Sequence, residues 1–249
     1  MKLLGIIAAG GSGTRLGHAG GKQLLPLAGR PVAAWAADAL ARACAIDEVV
    51  IVCDPDRLVD YTQSILSALQ TDKPVTFVAG GNTRAESVVA GLYAARELGA
   101  DYVAIHDGAR PLLDPADTDA LVAALLDAPA YAGAALAYPV TDTIKCIEPV
   151  TVAAPGNRHA ATVTHTADRS SYWQVQTPQL FATDTIIDAY ETAAANGFSG
   201  TDDASYVEAT GGTILLIQGR RSNIKVTEPD DLLVVEPLLQ QRNTMWKAR

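Results

Sequence analysis

The residues with the strongest claim to chemistry lie near the start of the chain. Ala8-Ala9-Gly10-Gly11-Ser12-Gly13-Thr14-Arg15-Leu16-Gly17 is followed closely by Gly21-Lys22-Gln23. Glycines at 10, 11 and 13 let a backbone turn sharply and come close to a bound group. Ser12 and Thr14 add hydroxyls, and Arg15 and Lys22 add two positive charges. Backbone N–H groups, hydroxyls and cations around a glycine turn are what a polyphosphate needs. The stretch therefore reads as a loop that wraps a nucleoside triphosphate, in preference to a plain flexible turn. It is not a Walker A loop, which needs Gly where Leu16 stands and Ser or Thr where Gln23 stands. A dinucleotide fingerprint is excluded too, since it needs a small residue at Leu16.

Two more stretches carry candidate groups. In His106-Asp107-Gly108-Ala109-Arg110-Pro111, Asp107 suits either a divalent metal or a ribose hydroxyl, and Arg110 suits a phosphate. The plainer alternative is that the two pair with each other. His106 reads as an interior polar residue, because no second His or Cys stands at ligand spacing. Gly80-Gly81-Asn82-Thr83-Arg84-Ala85-Glu86-Ser87 is either a second ligand loop, using Ser87 and the glycine backbone, or an ordinary capped turn. Thr83 and Glu86 fit a capping box in both cases. Asp202 and Asp203 could touch a metal, though capping is the commoner use of acids at a helix start. No Ser-His-Asp or Cys-His set is evident.

These groups need elements to position them. Leu3–Ala8 is an apolar run that predicts a first buried strand. Further strands are expected at Glu48–Cys53, Val75–Ala79, Tyr102–His106, Gly133–Tyr138 and Thr213–Gln218. Helices are expected from Val32 to about Ala43, to about Leu69, to about Leu98, from Pro115 to Leu126, from Asp184 to Asn196, from Thr201 or Asp202, and at the end to about Gln241. The alternation predicts an α/β fold, a mostly parallel sheet with helices on both faces. Its ligand crevice should lie beyond the C-terminal strand ends, where Asp107 and Arg110 stand. After Pro139 the alternation breaks. Asp142–Ile147 and His159–Thr166 are β-prone, with a turn at Pro155-Gly156-Asn157 between them. That predicts a hairpin arm over about 142–169, too poor in apolar residues to form its own core. Either it joins a second subunit or it is a surface flap. Trp173–Gln176 reads as strand, and Thr177-Pro178-Gln179-Leu180-Phe181 as a turn into a helix. The 249 residues read as one domain with this arm.

Composition narrows the partners. The chain is 49% hydrophobic, which supports a large core, and its net charge of −9 disfavours general nucleic-acid binding. Anionic substrates must then be met by local clusters of Lys and Arg. Cys44, Cys53 and Cys146 have no metal-like spacing and are expected to be buried, reduced thiols. No leader or membrane-spanning run is visible, so a soluble, cytoplasmic protein is expected.

The motifs, taken in order, resemble the 2-C-methyl-D-erythritol 4-phosphate cytidylyltransferase family. The resemblance runs from about Leu3 to Leu239. It covers the glycine loop with Arg15 and Lys22-Gln23, Arg84 with Ser87-Val88, and His106-Asp107 with Arg110-Pro111. It continues through Pro139-Val140, Asp142-Thr143, Lys145, Asp168-Arg169, Gln176-Thr177-Pro178-Gln179 and Phe181 to Asn223-Ile224-Lys225-Val226-Thr227. The family implies a Rossmann-like nucleotidyltransferase that transfers CMP from CTP to methylerythritol phosphate and releases pyrophosphate. It implies that Ala8, Ala9, Gly10, Gly11 and Gly13 wrap the triphosphate and that Arg15 and Lys22 stabilise the transition state. Gly80, Gly81, Asn82 and Ser87 would recognise cytosine and ribose. Asp107 would lie between nucleotide and acceptor, in reach of a Mg²⁺ held mainly by the CTP phosphates. Arg110, Thr143, Arg169 and Lys225 would handle the sugar phosphate. Thr143 and Arg169, on the arm, would complete the site of a homodimer partner. Three departures stand out: Gly21 where the family commonly has Pro, Gly108 where Ala is usual, and a longer arm. Ribitol-5-phosphate cytidylyltransferase and a non-catalytic cytidine-nucleotide sensor are the competing readings.

Overall fold

The computed structural model describes residues 1–10, 21–149 and 160–247. The centre of the glycine loop, with Gly11, Gly13 and Arg15, lies outside the described residues, as does the expected turn at 155–157.

The core is a seven-stranded sheet built from β1 (Leu3–Ala8), β4 (Glu48–Cys53), β5 (Val75–Ala79), β6 (Tyr102–Asp107), β7 (Gly133–Pro139), β10 (Trp173–Ala182) and β11 (Ile214–Gln218). Its order is β11-β7-β10-β6-β1-β4-β5. β1 alternates its side chains between the faces. Leu3 and Ile7 enter one core with Leu40, Ile51 and Leu121, while Leu4 and Ile6 enter the other with Val50, Leu92 and Phe181. Helices α1 (Val32–Ala41), α2 (Leu58–Leu66) and α4 (Pro115–Leu126) serve the first face. Helices α3 (Arg84–Glu97), α5 (Thr183–Ala195) and α6 (Asp203–Ala209) serve the second. All ten residues of α1 are buried, as its alanine-rich sequence allows.

Neighbours β5, β4, β1 and β6 are parallel, and so are β7 and β11. β10 runs antiparallel to both β6 and β7. This corrects the expected turn at Thr177–Phe181, which is the interior of β10. Pro178 is accommodated because the ladder is already interrupted between Val175 and Gln179, so its missing N–H costs no ladder hydrogen bond.

The arm is present as β8 (Lys145–Pro149) paired antiparallel to β9 (Ala161–Thr166). β9 is exposed along its length. A small hairpin, β2 (Pro26–Leu27) with β3 (Arg30–Pro31), precedes α1. The last helix, α7 (Pro229–Lys247), is longer than expected, and α2 ends earlier. Of the three free cysteines only Cys53 is buried; Cys44 is exposed and Cys146 intermediate, correcting the expectation of buried thiols. Among the described residues no helix is long and apolar enough to cross a membrane.

Candidate active site

Parallel pairing sets Ala8 beside Asp107 and beside Val52, and Cys53 beside Ala79. The loops after β1, β5 and β6 therefore leave from one edge. That is where the ligand crevice of such a sheet forms.

Two of those loops meet at Ser87, which is buried in the first turns of α3. Its hydroxyl lies 3.2 Å from the Gly81 N–H. A Cβ added at Gly10 would stand 2.8 Å from Ser87 Oγ, and one at Gly80 only 2.6 Å. Glycine is thus required at both loops so that their backbones can close on one hydroxyl. The Thr83–Glu86 capping box is present. It accounts for the turn but not for the convergence on Ser87.

Asp107 ends β6 with its side chain among three cations. Lys225 Nζ is 2.9 Å from its carboxylate, Arg110 Nε 3.3 Å and Arg84 Nε 3.5 Å. Burial alone would raise the carboxyl pKa; the charges of Arg84, Lys225 and Arg110 outweigh it and hold Asp107 ionised, well below the usual carboxylate range. Arg110 does pair with Asp107, and it also donates from Nη1 to the Asn223 carbonyl at 2.8 Å.

The turn that presents Asp107 is fastened from behind by His106, which is fully buried. His106 Nε2 is 3.1 Å from the Arg110 carbonyl, which only accepts, so Nε2 carries the hydrogen. Nδ1 then accepts from the Thr177 hydroxyl at 2.9 Å, and Thr177 Oγ1 accepts from the Asp107 N–H at 3.0 Å. Burial lowers the His106 pKa to about 4, so the ring is neutral at pH 7. His106 is the interior polar residue that its sequence context predicts.

Lys225 sits in the segment between β11 and α7. That segment is stitched to the same turn and to β10: the Val226 N–H donates to the Ala109 carbonyl at 2.8 Å, and Asn223 Nδ2 donates to the Thr177 carbonyl at 2.8 Å. Residues more than 100 positions apart are thereby held as one rim.

Two clefts open on this rim. A smaller one of about 130 Å³ is bounded by Ala8, Gly10, Lys22 and Ser87. A larger one of about 530 Å³ runs past Arg110, Thr177 and Gln179 to Asp202 and Glu208. Arg84, Asp107 and Lys225 line both and form the wall between them. Of the expected site residues, Ala8, Gly10, Lys22, Ser87, Asp107, Arg110 and Lys225 line one cleft or both, and Ala9 is buried beside them. Gly80 and Gly81 stand against Ser87, and Asn82 is exposed on the same loop. Thr143 and Arg169 are exposed on the arm and line neither cleft, and Arg169 Nη1 donates to the Thr141 carbonyl at 2.6 Å.

Sequence reasoning assigns no part in the site to Arg84 or Thr177, and offers Asp203 only a metal contact as the alternative to a helix-start acid. Arg84 and Thr177 belong to family motifs, but their residue types alone name no role. Asp202, one of the two expected caps, is the N-cap of α6, whereas Asp203 is fully buried and forked to Arg84. The family departures also find their places. Gly21 has φ 73°, a value closed to proline. A Cβ on Gly108 would lie 2.9 Å from Gln23 Oε1, so an alanine there requires the Gln23 side chain to shift.

The described geometry can hold anions: a cation wall, glycine backbones and hydroxyls. The family model for 2-C-methyl-D-erythritol 4-phosphate cytidylyltransferase matches residues 3–241. A relative of that name from Synechococcus sp. (strain CC9902) is 43% identical over 243 residues, 96% of this chain and 98% of the relative. Another from Prochlorococcus marinus (strain MIT 9313) is 41% identical, covering 95% of this chain and 98% of the relative. A solved 4-diphosphocytidyl-2C-methyl-D-erythritol synthase from Anaerococcus prevotii superposes with a TM-score of 0.79 at 28% identity, over 96% of each chain. A cytidylyltransferase structure from Thermus thermophilus gives 0.70 at 28% identity, over 96% of this chain and all of the other. With its fold and nearly its whole length in common with them, the chain belongs to the 2-C-methyl-D-erythritol 4-phosphate cytidylyltransferase family.

Proposed function

We propose that this cytidylyltransferase moves CMP from CTP to 2-C-methyl-D-erythritol 4-phosphate, in the making of isoprenoid precursors by the non-mevalonate route. The nucleotide enters at the smaller cleft and the sugar phosphate at the larger. The observation that carries this reading is the shared wall: Asp107 with Arg84, Arg110 and Lys225 stands where two anions would meet. The smaller cleft, at about 130 Å³, accommodates only part of a nucleotide, so the triphosphate extends toward the glycine loop.

The nucleophile is an oxygen of the acceptor's phosphate monoester, already anionic at neutral pH, so no general base is needed. It forms a bond to the α-phosphorus of CTP while the bond from that phosphorus to the bridging α–β oxygen breaks. Pyrophosphate leaves with the electron pair. The barrier is one of bringing an anion to an anion, and it falls through positioning and charge neutralisation. Lys22 and Arg15 are assigned to the charge that builds on the triphosphate. Lys225 and Arg110 are assigned to the acceptor phosphate. Thr143 and Arg169 reach neither cleft of their own chain, which supports a homodimer in which the arm completes the partner's site.

A divalent ion such as Mg²⁺ would supply further positive charge to the triphosphate. The described residues include no group of three His, Cys, Asp or Glu side chains that could cage one. Asp107, the carboxylate common to both clefts, is already balanced by three cations. These residues do not fit a protein-held metal, and Asp107 is better suited to a ribose hydroxyl. Such an ion would ride on the CTP phosphates. A cytoplasmic location accords with the soluble substrates.

The test is pyrophosphate release from CTP and Mg²⁺, with methylerythritol phosphate and ribitol 5-phosphate in parallel. Release with the first alone is expected. Release with ribitol phosphate alone would move the acceptor assignment. CTP binding without turnover on either would favour a sensor.

A further inference from the structure

Behind the shared wall lies a chain of buried polar groups that the reaction as described does not use. Asp203, in the first turn of α6, is fully buried. Its carboxylate accepts from Arg84 Nη1 at 2.8 Å and Nη2 at 2.7 Å, a two-point fork. It also accepts from the Tyr190 hydroxyl of α5 at 2.6 Å. The Tyr190 ring is held in turn by stacking on Tyr206, centroids 4.0 Å apart. Such a fork fixes the plane of the guanidinium as well as its position.

The fork leaves Arg84 with one donor edge turned to the site. Its Nε faces Asp107 Oδ1 at 3.5 Å, while the other carboxylate oxygen of Asp107 faces Lys225 and Arg110. Arg84 lines both clefts, yet its end-on pair of donors, one N–H from each terminal nitrogen, is taken by Asp203. That pair is not open to a phosphate. The geometry of Arg84 suits a strut that sets the direction of the Asp107 carboxylate. A buried carboxylate has a high desolvation cost unless it is fully paired, and Asp203 is paired by nothing but Arg84 and Tyr190 among the described contacts.

We infer that Asp203 and Tyr190 are positioning residues for the transfer: through the Arg84 fork they orient Asp107 and so place Lys225 against the acceptor phosphate. The inference rests on the proposed division of the clefts. It extends the functional site to α5 and α6, on the far side of the larger cleft from the glycine loop.

The experiment is steady-state kinetics on the intact enzyme, varying CTP and methylerythritol phosphate separately, for Asp203→Asn, Tyr190→Phe, Arg84→Lys and the Asp203→Asn/Arg84→Lys double variant. Rates are normalised to folded protein by thermal melting. Wild-type turnover on its better acceptor tests the assigned reaction independently, and the variants are then read with that acceptor. For Asp203→Asn and Arg84→Lys we expect kcat/KM for the acceptor to fall at least tenfold, with KM for CTP changed less than threefold. The double variant should be no worse than the poorer single one, because the pair acts as a unit. Tyr190→Phe keeps the stacked ring and should lose about threefold or more on the same parameter. It decides the matter if Asp203→Asn fails to fold. Wild-type kinetics in folded Tyr190→Phe and Asp203→Asn would overturn the inference. So would losses that multiply in the double variant, or a loss confined to CTP.

Discussion

Acidification should weaken this fold through one buried ring, by an amount that the structure sets. His106 is enclosed and neutral, with its pKa lowered from 6.5 to about 4 by burial. Unfolding exposes it, so between those two values the unfolded chain binds a proton that the folded chain refuses. A histidine lowered in this way contributes its stability fully above the unfolded value. That contribution is lost as pH falls from 6.5 toward 4. Each pH unit inside the window is worth about 1.4 kcal/mol, so moving from pH 7 to pH 5 should cost about 2 kcal/mol. Asp107 does not blur the window. Its pKa is lowered from 3.8, so its contribution is lost only below that value. The assay is urea unfolding at pH 7, 6 and 5 on the wild type and His106→Gln, reading midpoint and slope. The variant will be less stable throughout, because it breaks the contacts with Thr177 and the Arg110 carbonyl. Its stability should fall between pH 7 and 5 by about 2 kcal/mol less than the wild type's. Equal losses in both proteins would refute the reasoning, since the proton uptake would then belong to another group.

Lys22→Ala should lower turnover by roughly a hundredfold or more, as for loss of a main electrostatic contact, and Arg15→Ala likewise; near-normal kcat in both would remove them from the transition state. Arg169→Ala and Lys225→Ala should raise KM for the sugar phosphate with CTP affinity little changed, checked by calorimetric titration of CTP; lost CTP binding would place them on the other ligand. Gly80→Ala puts a Cβ 2.6 Å from Ser87 Oγ and 3.0 Å from the Cys53 carbonyl, so CTP binding should weaken several-fold; adding Ser87→Gly should recover part of the fold's stability in a melting assay. If the arm completes the partner's site, light scattering gives twice the chain mass. Mixing Lys22→Ala with Arg169→Ala protomers should then restore roughly a quarter of wild-type activity, because half the dimers are mixed and each carries one intact site. No recovery on mixing would place Arg169 in its own chain's site.

How much of this could be read beforehand depends on how far a contact reaches along the chain. β1, β4, β5 and α4 were legible to within a residue or so, because apolar runs bounded by turn residues are local signals. The α3 capping box was legible for the same reason. β10 was not. Its Thr177-Pro178 reads as a turn by local chemistry, and only pairing with β6 and β7, which lie well upstream, makes it strand. The site divides in the same way. Lys22, Asp107 and Arg110 stand in short motifs whose residue types name their chemistry. Asp203 stands in a helix-start pattern that fully accounts for an acid, so nothing local pointed to Arg84, 119 positions away. The cysteine expectation failed by the converse route. Cys44 follows a buried alanine-rich helix, yet the chain has turned outward by that residue.

The electrostatics of the rim follow from the acidic balance of the chain. A protein of net charge −9 repels its anionic substrates at long range, so attraction must come from a local excess of cations. Three cations packed together would repel one another, and Arg110, almost buried, would carry a large desolvation cost. Asp107 and Asp203 offset both effects. Against Arg84, Arg110 and Lys225 they leave a surplus of one positive charge in the wall. The two carboxylates differ in what they can do next. Asp203 is fully buried, with Arg84 and Tyr190 as its partners. Asp107 lines both clefts, and its closest partner, Lys225, is about one-third exposed. An arriving phosphate can share Lys225 without stripping Asp107, since Arg84 and Arg110 still hold the carboxylate. On the proposed assignment, Asp107 would serve as a counter-ion that keeps the cations in place before substrate arrives and would yield a share of Lys225 when it does.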